Sequence, residues 1–301
     1  MKIGELLSGT LLGDANIQAR RFKYGNYFYY KLTAKDKKFL RWCVKLFQKF
    51  GINCYITQDN KISRTFLSGF YMNKYDFLLN FHKKWYKHVN GKVIKTIPRN
   101  LELTSTTLLF WYLGDGSLIR RKNDENRVLF VVLATNTFSK KNIDLLIQKL
   151  KDFNLNFYPV KYKSGFTGKE SGYCLYSNTQ DGTPYRFFKL IGFECPKEIE
   201  NCSTGCKGIY REEKFFKDKW PTEEDWVKIL SNVKETARII KLRRKQLNLT
   251  QKYESGLVKV TREHIRDIEN GRRYGSVKSF RKVLKALNIE IKYLLNELED
   301  N

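Results

Sequence analysis

Two aspartates carry the chemistry most open to this chain. Asp14 closes the apolar stretch LSGTLLGDA (Leu7 to Ala15), and Asp115 closes LLFWYLGDG (Leu108 to Gly116) in the same manner. An acid at a helix C-terminus meets the negative end of the helix dipole and is disfavoured there. Its recurrence therefore asks for a reason. Small residues, Ser8, Gly9 and Gly13 in one stretch and Gly114 and Gly116 in the other, would let two such helices pack closely and bring Asp14 and Asp115 together. Two carboxylates that close repel unless a cation lies between them. Hard oxygen ligands with room for water and phosphate suit Mg²⁺, which can activate a water and steady the leaving oxygen of a phosphodiester. A lone Gly-Asp-Gly reads as a solvated helix end. A pair of them in a strongly basic chain reads as a metal-dependent hydrolytic centre.

The elements that must hold these acids repeat. FGINCY (Phe50 to Tyr55) and FNLNFY (Phe153 to Tyr158) lie about one hundred residues apart, as Asp14 and Asp115 do. Each copy reads as an apolar helix, strands (Tyr24 onward; Arg127 to Thr135), an amphipathic helix (36–50; 140–153), a hairpin (53–58 with 61–68; 156–163 with 172–177) and a closing helix (74–86; 185–190). The expected fold class is α+β: two pseudo-symmetric αββαββα repeats packed through their apolar helices, followed by an all-α domain. Alternation leaves one face of each sheet free for polar residues. Candidates to populate those faces are Arg20, Arg21, Lys23, Tyr29, Lys31, Lys61 and Arg64 in the first copy, and Arg120, Arg121, Lys161 and Lys163 in the second.

The chain has 301 residues, with 57 Lys plus Arg against 31 Asp plus Glu and a net charge of +26. That excess points to a polyanion, nucleic acid before a membrane surface. No apolar run approaches the roughly 20 residues that cross a bilayer, and the N-terminus lacks a signal-peptide pattern. The expectation is an intracellular protein, in the cytoplasm or nucleoid of a bacterium or phage host, with a mitochondrion or plastid as the alternative. Cys195, Cys202 and Cys206 have no CxxC pair or nearby histidine and read as loop or core thiols. No Ser/His/Asp arrangement or P-loop is present.

LSGTLLGDA and LLFWYLGDG resemble the signature helices of single-chain LAGLIDADG homing endonucleases, and the repeat order extends the resemblance over residues 1 to about 210. The resemblance implies that the helices form the interface between the two halves and that saddle-shaped sheets grip a long double-stranded DNA target. It also implies that Asp14 and Asp115 bind Mg²⁺, for which Mn²⁺ can substitute, in a double-strand break with short 3′ overhangs. KTIPRNL, from Lys95, resembles the family's Lys-x-x-Pro segment, which makes Lys95 the basic catalytic residue. In the second copy FECPKEI has Phe193 and Glu194 where a lysine is expected, leaving Lys189 and Lys197 as substitutes. Phe110 stands where the family has its first packing glycine, so looser helix packing is expected there. An internal repeat makes a second subunit unnecessary, and a monomer is expected.

From about Thr236 the chain resembles the Cro/C1-type helix-turn-helix family, through LRRKQLNLTQ, IENGRR and LKALNI. That resemblance places Gln251 at phosphate, Thr261, Arg262, Glu263 and Arg266 near base edges, and Arg272 and Arg273 beside the backbone. YESGLVKV reads as a longer connection than the family's between the two helices. The expected division is repeat 1 at 1–100, repeat 2 at 101–215, a linker or helix at 216–234 and the helix-turn-helix at 235–301. An intron-encoded endonuclease is the leading reading. A non-cleaving transcription regulator of the same architecture, or a maturase that binds its own intron RNA, is the alternative.

Overall fold

A computed structural model describes residues 1–22, 25–34, 36–62, 65–73, 76–120, 129–163, 170–202, 216–272 and 276–299. Repeat 1 runs α1 (Ile3–Leu12), β1 (Ala15–Phe22), β2 (Gly25–Ala34), α2 (Lys37–Gln48), β3 (Tyr55–Ile62), β4 (Thr65–Asn73) and α3 (Asp76–Trp85). A short hairpin, β5 (Tyr86–Val89) and β6 (Lys92–Lys95), then leads into repeat 2. There α4 (Ser105–Asp115), β7 (Gly116–Ile119), β8 (Phe130–Ala134), α5 (Lys140–Lys151), β9 (Phe157–Lys163), β10 (Glu170–Ser177) and α6 (Thr183–Ile191) follow in the same order. Each repeat holds one antiparallel four-stranded sheet, ordered β1-β2-β4-β3 and β7-β8-β10-β9. The chain is thus αββαββα twice.

The local chemistry explains the element boundaries. Asp36 caps α2 by accepting from the Lys38 and Phe39 amides, Ser139 caps α5 and Thr104 caps α4, each satisfying helix-end donors that lack an internal partner. One face of α2 buries Phe39, Leu40, Cys43 and Phe47, and one face of α5 buries Ile143, Leu146 and Leu150, so both helices lie on their sheets. The polar run around Asp59 looks like a hairpin turn but continues β3 through Ile62, with a register shift between Thr57 and Asn60 that absorbs it. Lys61 therefore lies on β3, not at the start of the following strand.

The segment 216–234 is no loose linker. A 3-10 turn at Lys217–Lys219 leads to α7 (Glu223–Leu230), whose N-terminus is closed by a capping box of Thr222 and Asp225. Helix α7 buries Trp226, Val227, Ile229 and Leu230, and the Trp226 ring meets Phe188 at 5.7 Å and Phe193 at 5.4 Å. Its other side packs against the C-terminal domain. That domain comprises α8 (Lys234–Gln246), α9 (Gln251–Val258), α10 (Arg262–Glu269), α11 (Val277–Ala286) and α12 (Ile291–Glu299). Most of YESGLVKV is the body of α9. Only Lys259 to Thr261 connect α9 to α10, with Lys259 left-handed at φ 55°, so this turn is as tight as a helix-turn-helix requires.

Candidate active site

Helices α1 and α4 pack through glycine at their C-terminal ends. A Cβ on Gly114 would stand 3.2 Å from the Gly13 Cα and 3.8 Å from Asp14 Oδ2, so only glycine permits this approach without adjustment. Further back, a Cβ on Gly9 would lie 2.6 Å from the Thr107 carbonyl oxygen and 2.8 Å from the Phe110 Cβ. The looser packing expected at Phe110 is absent, because Gly9 on the facing helix makes the room and Trp42 stacks on the Phe110 ring at 5.3 Å. One small residue is enough when the partner position is large.

This approach sets Asp14 beside Asp115. Burial pushes the Asp115 carboxyl up to about 7, and the Asp14 charge pushes the same way, while Lys95 and Lys219 pull it down. Asp14 is raised as well, again mainly by burial, with Lys219 and then Lys95 opposing. Burial thus favours the neutral form of both acids, and a cation between them would oppose that tendency.

Each helix end also has a lysine. Lys95 Nζ donates to the Ala15 carbonyl at 2.9 Å and to that of Gly13 at 3.3 Å. Lys219 Nζ donates to the carbonyls of Leu113 at 2.7 Å, Tyr112 at 3.2 Å and Gly114 at 3.5 Å. The Leu113 and Gly114 carbonyls belong to the last turn of α4, while Gly13 and Ala15 lie just past the end of α1, and a cation is favoured at both places. The lysines thus offset the dipole that would oppose the aspartates. Burial lowers both amines to about 8, against the attraction of both acids. The attraction is crosswise: Asp115 acts on Lys95 more than Asp14 does, and Asp14 acts on Lys219 more than Asp115 does.

Lys219 is the residue that sequence reasoning missed. Neither expected substitute lies at the acids, since Lys189 Nζ donates to the Leu298 carbonyl at 2.7 Å on the C-terminal helix and Lys197 is exposed beside the cleft lined by Glu194 and Lys292. A signal existed in KDKWP, where a lysine precedes proline much as Lys95 precedes Pro98. It is one residue shorter and lies beyond the repeat.

Strand alternation separates the two sheet faces. In sheet 1 Ala15, Ile17, Tyr30 and Leu32 are buried toward the helices, which places Asn16, Gln18, Tyr29, Lys31 and Thr33 on the free face. In sheet 2 Val131, Leu133 and Leu175 face the helices, and the other face carries Ser117, Ile119, Phe130, Tyr176 and Tyr158. Lys161 follows the alternation of Pro159 and Leu175 and so lies on the helix side, exposed at the strand's far end. Arg120 is turned toward residues 218–225 by three hydrogen bonds. The backbones of Arg20 and Arg21 lie in β1, that of Lys61 in β3 and that of Lys163 in β9, while Lys23, Arg64, Arg121 and Arg273 lie outside the described residues.

In the C-terminal domain Thr261 caps α10, and Thr261, Arg262, Glu263, Arg266 and Arg272 are exposed. Gln251 is engaged inward: its Nε2 donates to Glu269 Oε2 at 2.7 Å, so that amide is not turned out toward a phosphate. Glu269 is also paired with Arg244, which Glu254 faces at 3.5 Å.

The donor set fits a hydrated Mg²⁺. Two carboxylates alone make no closed cage, and among the described residues no group of three or more His, Cys, Asp or Glu side chains converges. Mg²⁺ commonly takes one or two carboxylates and completes its shell with water and phosphate oxygen. Among the described residues no helix is long and apolar enough to cross a membrane.

The sequence model of the LAGLIDADG DNA endonuclease family matches residues 4–183. The chain belongs to this family. Residues 240–294 match a helix-turn-helix family, in agreement with α8 to α12. Among curated relatives, an uncharacterized protein of Methanocaldococcus jannaschii, MJ1098, is 32% identical over 152 residues, covering 48% of this chain and 54% of the relative. The cytochrome b mRNA maturase bI2 of Debaryomyces hansenii is 25% identical over 181 residues, covering 57% and 63%. The chain therefore spans a little over half of the relatives it matches. Similar solved structures include the homing endonuclease I-WcaI bound to its DNA recognition sequence, at 20% identity and TM-score 0.48, covering 73% of this chain and 86% of that one. I-DmoI in complex with DNA and Mn has 11% identity and TM-score 0.39, covering 63% and 95%.

Proposed function

We propose that this family member is a site-specific homing endonuclease, intron-encoded and acting as a monomer, which cuts both strands of a long duplex target and leaves short 3′ overhangs. The observation that carries the reading is the convergence of Asp14 and Asp115 at the Gly13–Gly114 contact, with a lysine at each helix end. A bound Mg²⁺ would supply Lewis-acid stabilisation and a more acidic bound water. Asp14 and Asp115 would hold it by their carboxylates. Lys95 and Lys219, as ammonium groups near neutral pH held on backbone carbonyls, stabilise by their charge the negative charge that builds at the scissile phosphates. In each strand a water oxygen joins phosphorus and the bond to the 3′ oxygen breaks, giving a 5′ phosphate and a 3′ hydroxyl. Tyr29 and Lys31, with Asn16 and Gln18, read base edges from sheet 1. Thr261, Arg262, Arg266 and Arg272 give the C-terminal domain its own DNA contact.

Cleavage of a randomised duplex library by the purified chain tests this, with Mg²⁺ or EDTA and beside Asp14→Asn and Asp115→Asn. The expected result is cutting at one long site, dependent on the divalent ion and reduced by several orders of magnitude in either variant. Tight, discrete binding with no cutting would overturn the endonuclease in favour of a regulator. A second reading, an intron-RNA maturase, is supported by the similarity to maturase bI2 and by the exposed Tyr158 and Tyr162 on β9, rings of the kind that stack on unpaired bases. Binding of the host intron RNA by the Asp14→Asn variant tests it.

A further inference from the structure

Arg120 stands just beyond β7, five residues after Asp115, where the first repeat has Ala19 five residues after Asp14. Its guanidinium makes three hydrogen bonds, all to one short segment. Nη1 donates to the Asp218 carbonyl at 2.6 Å, Nη2 to the Trp220 carbonyl at 2.8 Å, and Nε to Asp225 Oδ2 at 2.8 Å. The two carbonyls flank Lys219. Between them the Lys219 carbonyl accepts the Tyr112 hydroxyl, and on the far side the Trp220 indole donates to the Gly192 carbonyl at 2.9 Å. Asp225 is 5% exposed, and its Oδ2 also accepts the Thr222 amide at 3.0 Å, so the same carboxylate joins the guanidinium to the start of α7.

We propose that Arg120 is the positioning residue of the second active site: it clamps the backbone on both sides of Lys219 and so fixes that amine at the end of α4. This rests on the endonuclease reading. A planar guanidinium with five fixed donors can span two carbonyls and a carboxylate at once, which an ammonium cannot. The segment it holds has no strand ladder to fix it. Lys95 needs no such clamp, because it ends β6, pairs with Tyr86 in the hairpin and is followed by the Thr96 amide, which donates to the Trp85 carbonyl at 2.7 Å. The Tyr86 hydroxyl in turn accepts the Ile17 amide at 2.9 Å, tying that hairpin to β1. A change at Arg120 therefore acts on one of the two sites.

The test uses the full chain with Arg120→Gln, Arg120→Lys and Asp225→Asn, and the duplex recovered from library cleavage, each strand separately end-labelled. Arg120→Gln is expected to slow cutting of one strand by about tenfold to a hundredfold, the scale of a small misplacement of a catalytic group. The strand affected is the one that Lys219→Met spares least. Asp225→Asn, which alters one bond of three, slows the same strand less, and Arg120→Lys restores only part of the rate. Affinity for the duplex in Ca²⁺ and its salt dependence stay unchanged. Hydrogen exchange of the protein alone, without DNA or metal, quickens at 216–226 and not at 86–95. Equal slowing of both strands with weaker binding and a salt slope reduced by about one would make Arg120 a phosphate contact and overturn the proposal. So would unchanged exchange at 216–226. If the wild type cuts nothing, the endonuclease reading fails, while the exchange measurement still decides whether Arg120 holds the segment.

Discussion

The two repeats bring the same charges to the same place by different routes. In repeat 1 the lysine comes on a β-hairpin that follows α3 directly. In repeat 2 it comes on a 3-10 turn after the repeat has closed, on the approach to α7 and the C-terminal domain. What the halves share is an amine on backbone carbonyls at or just past the end of each signature helix, within reach of both aspartate charges. Symmetry is kept in the electrostatics of the centre and abandoned in the chain path that builds it. The free sheet faces differ as well. Sheet 1 offers Asn16, Gln18, Lys31 and Thr33, which can hydrogen-bond to base edges, whereas sheet 2 offers Ile119, Phe130, Tyr158 and Tyr176, with Tyr176 between Phe130 at 5.9 Å and Tyr158 at 6.3 Å. On the proposed endonuclease reading, the first sheet is suited to direct readout by hydrogen bonds and the second to contact with thymine methyls or unpaired bases.

The largest expected effect separates the two lysines. Lys95→Met and Lys219→Met should each slow one strand by about a hundredfold or more, the scale of losing one transition-state donor, and the strands should be opposite ones. Strand-resolved gels check this. If both variants spare the same strand, the assignment of one lysine to each strand's site is wrong. Next comes the pH dependence of metal binding. Asp115 ionises only near pH 7, so protons compete with the ion below that value and the competition disappears above it. Titration calorimetry with Mn²⁺ should show affinity falling about tenfold per pH unit below 7 in the wild type, and much less in Asp115→Asn. Pointwise affinity that is flat with pH would mean the acid is already ionised. The smallest effect is structural. Gly9→Ala puts a methyl 2.6 Å from the Thr107 carbonyl oxygen and should lower stability by about 1–3 kcal/mol, read as a drop in melting temperature. Gly114→Ala, with its nearest contact at 3.2 Å, should perturb stability less.

The aspartates were legible in the sequence because identical local strings mark them, and the αββαββα order because the amphipathic helices α2 and α5 carry clear period and caps. Lys219 was not, since its partners are carbonyls about one hundred residues upstream and no local pattern names them. Arg120 looked like a sheet-face cation for a related reason: a one-residue change of alternation moves a side chain to the other face of a sheet. The stretch 216–234 carried its own signals, Thr222 with Asp225 at the cap position and Trp226 within the helix, and only the absence of a visible partner left it open between a linker and a helix.

The packed α1–α4 pair has a consequence for how the protein is born. The centre draws on residue 14, residue 95, residue 115 and residue 219, in that order along the chain. A ribosome that has released the first repeat has made one acid and one amine and nothing for them to face. The four groups exist together only when Lys219 has emerged, and by then both αββαββα halves are complete. A chain abandoned before residue 219 thus lacks the second amine, so the full set of four charges is assembled only once both repeats have been made.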